Sequence, residues 1–218
     1  MDLLEVDNIE LKFKSKSILD AIYIKAEKGK ITGLIGSNGT GKSSLMKIIF
    51  GNLIPNNKLI RIDNKPILKP FYRKGNIKML PQTNIFPSSF SLKKAFNLYN
   101  VSFDSFLNEF SDFNKLKNNH FFMFSGGERR LIETYIILKS KANIILLDEP
   151  FSHISPLYIE KIKKIINSEK KEKIIIISDH FYNDIIEISD DLYLLKDGWS
   201  RLIKKKEELI FYNYTNSI

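Results

Sequence analysis

Residues 31–50 read ITGLIGSNGTGKSSLMKIIF. The apolar ITGLIG predicts a short buried strand, and SSLMKIIF predicts a helix that Gly51 ends. Between them lies GSNGTGKS, residues 36–43, a glycine-rich loop between a strand and a helix. Its backbone N–H groups, at the positive end of a helix, form a concave anion site. Lys42 then reaches the β- and γ-phosphates of a nucleotide, and the Ser43 hydroxyl is placed to ligate Mg²⁺. A plain glycine-rich turn is the competing reading, and the flanking strand and helix argue against it.

The same logic extends outward. NIILLD (143–148) and KIIIIS (173–178) are continuous apolar runs, as expected of parallel strands covered on both faces. The first delivers Asp148 to the carboxyl end of its strand, where open α/β sheets bind ligands. Asp148 is positioned to hold Mg²⁺ and Glu149 to orient or polarise a water. Phosphoryl transfer needs mainly positioning and charge neutralisation, so two carboxylates with distinct roles suffice. LLEVDNIELKF and AIYIKAEKG read as strands, with the Lys28-Gly29 turn closing the second, and Asp197-Gly198 reads as a hairpin turn. Ser155 precedes Pro156 as an N-cap precedes a first helical residue. From about 88 to 124, Phe96, Tyr99, Phe103, Phe106, Phe110 and Phe113 recur at spacings of three and four. Short amphipathic helices follow, their aromatic stripe serving as core or as a docking surface.

FSGGERR, residues 124–130, opens another helical run, ERRLIETYIILKS. Small residues at a helix start present backbone donors, so Ser125, Gly126 and Gly127 make a second phosphate-binding surface. One chain already has its phosphate loop, so this surface is expected to serve a nucleotide held by another subunit.

Composition narrows the class. The chain has 218 residues, 43% of them hydrophobic, and no cysteine, which excludes disulfides and thiolate metal sites. Its longest all-aliphatic run, IIII at 174–177, falls far short of a membrane span, and MDLLEVDNIE does not resemble a signal peptide, so a cytoplasmic protein is expected. The net charge of +9 is local: residues 51–100 hold nine Lys/Arg against Asp63 alone. That stretch could face anionic lipid, a partner or nucleic acid, or simply reflect compositional bias.

With these motifs assembled, the chain resembles, over nearly its whole length, the ATP-binding subunit of an ABC (ATP-binding cassette) transporter. GSNGTGKS matches the family's Walker A loop, MLPQ the loop with Gln82, FSGGE the signature, IILLDEP the Walker B strand, and SDH the switch histidine, His180. Phe13 sits where the family stacks an aromatic ring on adenine. LPQ followed by IFP, GGERR, DEPF and Asp179-His180 are most similar to the lipopolysaccharide-export and branched-chain amino-acid uptake types. The resemblance implies an α/β P-loop NTPase core of ABC type with an antiparallel β subdomain and a small helical subdomain at about 83–130. It treats residues 1–218 as one ABC ATPase domain. It implies ATP bound by Phe13, Gly36, Ser37, Asn38, Gly39, Thr40, Gly41, Lys42, Ser43, Ser44 and Gln82. Glu149, His180 and Lys42 carry catalysis, and Ser43, Gln82 and Asp148 hold Mg²⁺. Ser125, Gly126, Gly127 and Glu128 face the opposite ATP.

Two departures stand out. Phe124 replaces the leucine usual at the start of the signature. FSHIS ends the loop after Glu149 in Ile154 and Ser155, where the family generally has leucine and aspartate. The missing acid puts coupling between the two sites in doubt, while serine still suits a helix cap. The implied protein is an ATP-hydrolysing subunit that dimerises, with itself or a homologue, around two Mg-ATP. It drives a separate integral membrane subunit and is peripheral on the cytoplasmic face of the inner membrane; nucleic acid is not an expected partner. The alternatives are a soluble ABC ATPase acting on an assembly scaffold or nucleic-acid complex, and a low-turnover regulatory subunit. Against the first, there is one P-loop, and only 82 residues separate Lys42 from Phe124.

Overall fold

The computed structural model describes residues 1–214 apart from 15, 117, 118 and 213. Its first strands alternate as a half-covered sheet should, except where the pairing shifts register between Val6 and Ile9. In β1 (Leu3–Phe13) the buried residues are Leu4, Val6, Ile9 and Leu11, and in β2 (Lys16–Glu27) Leu19, Ile22, Ile24 and Ala26. Antiparallel pairing sets them opposite one another, Leu4 to Ala26, Val6 to Ile24, Ile9 to Ile22 and Leu11 to Leu19. With β4 (Asn57–Ile62) and β5 (Lys65–Pro66) they form a sheet in the order β2-β1-β4-β5.

The second sheet holds β3 (Ile31–Ile35), β6 (Ile77–Leu80), β7 (Ile144–Asp148), β8 (Ile174–Ser178), β9 (Asp191–Lys196) and β10 (Trp199–Ile203), in the order β10-β9-β3-β8-β7-β6. All neighbours are parallel except the β9–β10 hairpin, whose turn is Asp197-Gly198 as expected. Every residue of β3, β7 and β8 is buried, which is why their sequences run apolar without alternation. Ile144 and Leu146 of β7 pack with α1 (Lys42–Phe50) and the antiparallel sheet. Ile145 and Leu147 pack instead with α4 (Gly126–Lys139), α5 (Pro156–Glu169) and α6 (Tyr182–Ile188). The α/β expectation, with its antiparallel sheet, is met.

Between β6 and α4 run α2 (Leu92–Leu98) and α3 (Phe103–Glu109), each N-capped by a serine, Ser91 and Ser102. Phe96, Phe106 and Phe110 are buried around Tyr135 of α4, with the Phe106 and Tyr135 centroids 5.0 Å apart, and buried Phe113 packs on Phe106. The stripe is therefore core and not a docking surface. The last part of the segment forms 3-10 turns, Ser111–Leu116 and Phe121–Met123, in place of an α-helix. The expected helical subdomain includes positions 117 and 118, which lie outside the described residues. After β10 a short helix, α7 (Glu208–Phe211), leads to Tyr212 and Tyr214.

Candidate functional site

Strand β3 ends at Ile35, and the loop from Gly36 to Ser43 wraps the start of α1. Gly41 has φ 100°, and a Cβ there would stand 2.6 Å from Leu19 Cδ2, so any side chain meets both strain and collision. No side chain caps α1 and no acid lies in its first turn, which leaves its backbone donors to an anion. Lys42 is 8% exposed, and its ammonium donates to the carbonyls of Gly36 at 2.5 Å and Ser37 at 3.1 Å. Burial lowers its pKa, and the carboxylates of Asp148, Glu149 and Asp179 oppose that shift.

The order β3-β8-β7 brings Asp148 and Glu149 to the same edge as this loop. Asp148 is 1% exposed, and neither carboxylate oxygen has a hydrogen-bond partner. Burial pushes its pKa up to about 6; the Ser43 hydroxyl opposes the rise from nearby without reaching hydrogen-bond geometry. Glu149 takes a left-handed backbone, φ 57°, and its N–H donates to the Ser178 carbonyl at 2.7 Å. The Gln82 amide nitrogen donates to Glu149 Oε1 at 2.7 Å and to Ser43 Oγ at 2.9 Å, tying the phosphate loop to the acidic strand end. It is the nitrogen that points there, so a cation taken by Gln82 requires its amide to turn over. His180 Nδ1 lies 3.8 Å from Glu149 Oε2 and 3.2 Å from Asp179 Oδ1.

A cleft of about 470 Å³ runs from Phe13 past Asn38, Lys42 and Ser44 to Gln82 and Glu149. Phe13 is 53% exposed at the end of β1, so its ring is not a core residue. A second cavity, about 220 Å³, also reaches Gln82 and Glu149, and is lined by Gly126, Arg130, His153 and His180. His180 thus joins Glu149 without lining the larger cleft.

None of the signature residues lines the larger cleft, and only Gly126 lines the smaller cavity. Ser125 Oγ accepts from Glu128 N–H at 3.3 Å and Glu128 Oε2 accepts from Ser125 N–H at 2.8 Å, a capping box that fixes the start of α4. A Cβ on Gly126 would meet nothing within 4 Å, whereas one on Gly127 would lie 2.1 Å from the His153 carbonyl oxygen. One glycine leaves an open surface; the other lets the loop after Glu149 lie directly on the helix. Ser155 occupies the cap position of α5 before Pro156, as expected, but its hydroxyl makes no capping hydrogen bond. Pro156 has no N–H to offer, and the helix uses the Ser155 carbonyl, which accepts from Tyr158 and Ile159.

Three residues were given no role by the motifs. Arg130, 6% exposed, forks beneath the site: Nε donates to the Glu149 carbonyl at 3.0 Å, and its terminal nitrogens to the carbonyls of Pro81, at 2.7 Å, and Asp148. Glu133, fully buried, accepts from the backbone of Ile85 and Phe86 and from Arg129 Nε at 3.2 Å, pinning the chain after Gln82 to α4. Asp179, 1% exposed, accepts from the N–H groups of Phe151 and Phe181. Charges inside the otherwise apolar run ERRLIETYIILKS were the available signal for the first two.

Known proteins bear on this arrangement. The family model described as ABC transporter matches residues 19–152, more than half of the chain. The arabinose import ATP-binding protein AraG of Mannheimia succiniciproducens is 31% identical over 89% of this chain, which spans 42% of that protein. The lipopolysaccharide export system ATP-binding protein LptB of Haemophilus influenzae is 26% identical, over 91% of this chain and 88% of its own length. The chain thus spans less than half of one relative and most of the other. A solved structure of an ATP-binding subunit of an ABC transporter superposes with a TM-score of 0.84 at 21% identity, covering 99% of this chain and 95% of that one, which shows a shared fold. With its phosphate loop, strand-end carboxylates and capped FSGGE helix in this fold, the chain belongs to the ABC transporter family, among its ATP-binding proteins.

Proposed function

We propose that this chain is the ATP-hydrolysing subunit of an ABC transporter and that it closes, with a second copy or a homologue, around two Mg-ATP. The observation that carries the reading is the hydrogen-bonded line from Ser43 through Gln82 to Glu149, beside the partnerless carboxylate of Asp148. The adenine end of the cleft is assigned to Phe13 and the triphosphate to residues 36–44. Lys42 exchanges its bonds to the Gly36 and Ser37 carbonyls for phosphate oxygens, so binding leaves no buried ammonium unpaired.

A hard cation fits these residues. Two buried carboxylate oxygens without a donor, next to a serine hydroxyl, are an oxygen donor set, and Asp148 and Ser43, with the Gln82 oxygen after an amide turn, would hold Mg²⁺. When bound, the ion neutralises charge on the transferring phosphoryl group. Glu149 orients the attacking water through its carboxylate, which Gln82 holds at one oxygen until its amide turns towards the cation. His180, supported by Asp179, stands beside Glu149 to contact the γ-phosphate.

Two chains are proposed because Ser125, Gly127 and Glu128 do not line the cleft around Lys42, while Gly126 lines only the smaller cavity beside Glu149. The open face at Gly126 suits another chain's nucleotide. Among the described residues no helix is long and apolar enough to cross a membrane. From its likeness to proteins named as import and export ATP-binding proteins, the pathway is assigned to a separate membrane subunit and this chain to the cytoplasmic face. Exposed Phe122 and Met123, joined to the Gln82 loop by the Phe122 N–H to Ser88 carbonyl bond of 2.9 Å, supply an apolar contact for it.

The test is Glu149→Gln in saturating ATP, followed by light scattering and steady-state hydrolysis. A stable ATP-dependent dimer with lost turnover is expected, since binding remains while water activation goes. A variant that stays monomeric refutes the homodimer. One that hydrolyses ATP at the wild-type rate refutes the role of Glu149.

A further inference from the structure

The basic surplus of residues 51–100 is not spread evenly. Arg61 is taken up by Glu5 and Asp7, at 3.4 Å and 3.1 Å, and the Lys78 ammonium lies 5.0 Å over the Tyr99 ring. Lys58, Lys69 and Arg73 are exposed, and among the described residues no carboxylate pairs with any of them. They lie together. Lys58 and Lys69 line one hollow with Ile67 and Phe71, and Lys69 and Arg73 border an open groove of about 310 Å³ beside it. Cations gathered without a counter-charge repel one another, a cost that an anionic partner removes.

The backbone between these cations is held from beneath. Past the edge strand β5, the Ile67 N–H donates to the Ile60 carbonyl at 2.8 Å, and Ile67 and buried Phe71 pack into the core under the antiparallel sheet. Pro70 lies on Gly51, where an added Cβ would stand 3.1 Å from the Pro70 Cα, and Tyr72 stacks on Phe50 at 5.3 Å. Leu68, between these anchors, is turned outward and is 88% exposed. The groove beside it is lined by the chain from Pro66 to Phe71 and by Arg73, and among the described residues no acid, amide or hydroxyl side chain lines it. The face therefore offers cations and apolar carbon, with its apolar residue projecting as a knob. A nucleic acid would leave Leu68 in water, and a folded partner would need a socket for it. Headgroup phosphates over a fluid acyl layer match both features without one. We infer that this face binds the surface of an anionic bilayer, with Leu68 entering the acyl boundary and Lys58, Lys69 and Arg73 reaching headgroup phosphates.

The full chain, without nucleotide, is floated with vesicles of phosphatidylcholine alone or with phosphatidylglycerol added. Binding to the anionic vesicles is expected, weakening as salt rises, and none to the neutral ones. Lys69→Ala and Arg73→Ala each weaken it about fivefold, the share of one cation near an anionic surface. Leu68→Ser weakens it about tenfold, and thermal melting checks that each variant stays folded. Lys93→Ala removes an equal charge from α2 and leaves binding unchanged. Failure to bind anionic vesicles overturns the inference, as does equal binding to neutral ones. So does a Leu68→Ser chain that binds like wild type, or a Lys93→Ala chain that loses as much as Lys69→Ala, the mark of net charge alone. Retention only by vesicles that carry a membrane protein also overturns it, since the occupant is then a protein. No nucleotide enters any arm, so none of these results bears on ATP hydrolysis.

Discussion

Replacing Arg130 with methionine keeps a stem of similar length and deletes a fork that reaches three backbone carbonyls, those of Pro81, Asp148 and Glu149. Methionine needs no desolvation of a guanidinium, which offsets part of the loss. The carbonyls remain beneath the site, each losing a donor worth about 1–3 kcal/mol. Cooperative relaxation reduces the sum, so a net destabilisation of about 3–5 kcal/mol is expected. For a chain of this size that lowers the melting temperature by roughly 10 °C. The kinetic effect is larger than the stability effect suggests. The three carbonyls adjoin the Gln82 and Glu149 side chains, and a drift of about 1 Å in a reacting group costs roughly a hundredfold in rate. Affinity for ATP, governed by the loop after β3, is expected to hold within a few-fold. Urea unfolding and steady-state hydrolysis below the melting transition measure both effects. Arg130→Lys, a point donor in place of a fork, is expected to recover less than half of either. A methionine variant that loses under about 1 kcal/mol, or that keeps the wild-type kcat when folded, refutes the view that Arg130 holds the acidic strand end in place.

Gly127→Ala forces a Cβ to within 2.1 Å of the His153 carbonyl and is expected to cost about 1–3 kcal/mol; Gly126→Ala, with open space, stays near wild type in the same melting experiment. Asp148 titrates near 6 in the fold, above its ordinary 3.8, so between those values the folded chain holds a proton that the unfolded chain has released. Stability in chelator is therefore expected to fall as pH rises from 4 to 6, by up to about 3 kcal/mol, and Asp148→Asn should flatten that slope in urea melts. Ser155→Asp places an acid at a cap position where the native hydroxyl is unused, and should raise stability by about 0.5–1 kcal/mol. If the acid also restores coupling, the same variant raises the Hill coefficient for ATP.

What could be read from the sequence was local. Lys42, Ser43, Asp148 and Glu149 announce themselves because a strand, a loop and a helix start occupy contiguous residues. β3, β7 and β8 do so because burial on both faces leaves apolar runs. The 3-10 turns at 111–116 and 121–123 were hidden, since aromatic spacing of three and four fits a helix and a tight turn alike. Gln82 came from resemblance; its bond to Ser43 joins residues 39 positions apart. Arg130 and Asp179 serve backbone groups, which have no signature in side-chain spacing. Ser155 was read correctly by position and incompletely by chemistry, because the Tyr158 N–H that its hydroxyl could accept bonds to the Ser155 carbonyl.

The contact between Gly127 and the His153 carbonyl has one more consequence. It joins backbone to backbone, and backbone has no rotamers through which to yield. A joint without rotamers has little slack: when the FSGGE helix turns, the loop after Glu149 turns with it, and a shift at Glu149 returns along the same path. In the proposed two-chain arrangement, that joint would tie Glu149 in one cleft to the surface offered to the neighbouring cleft inside a single chain.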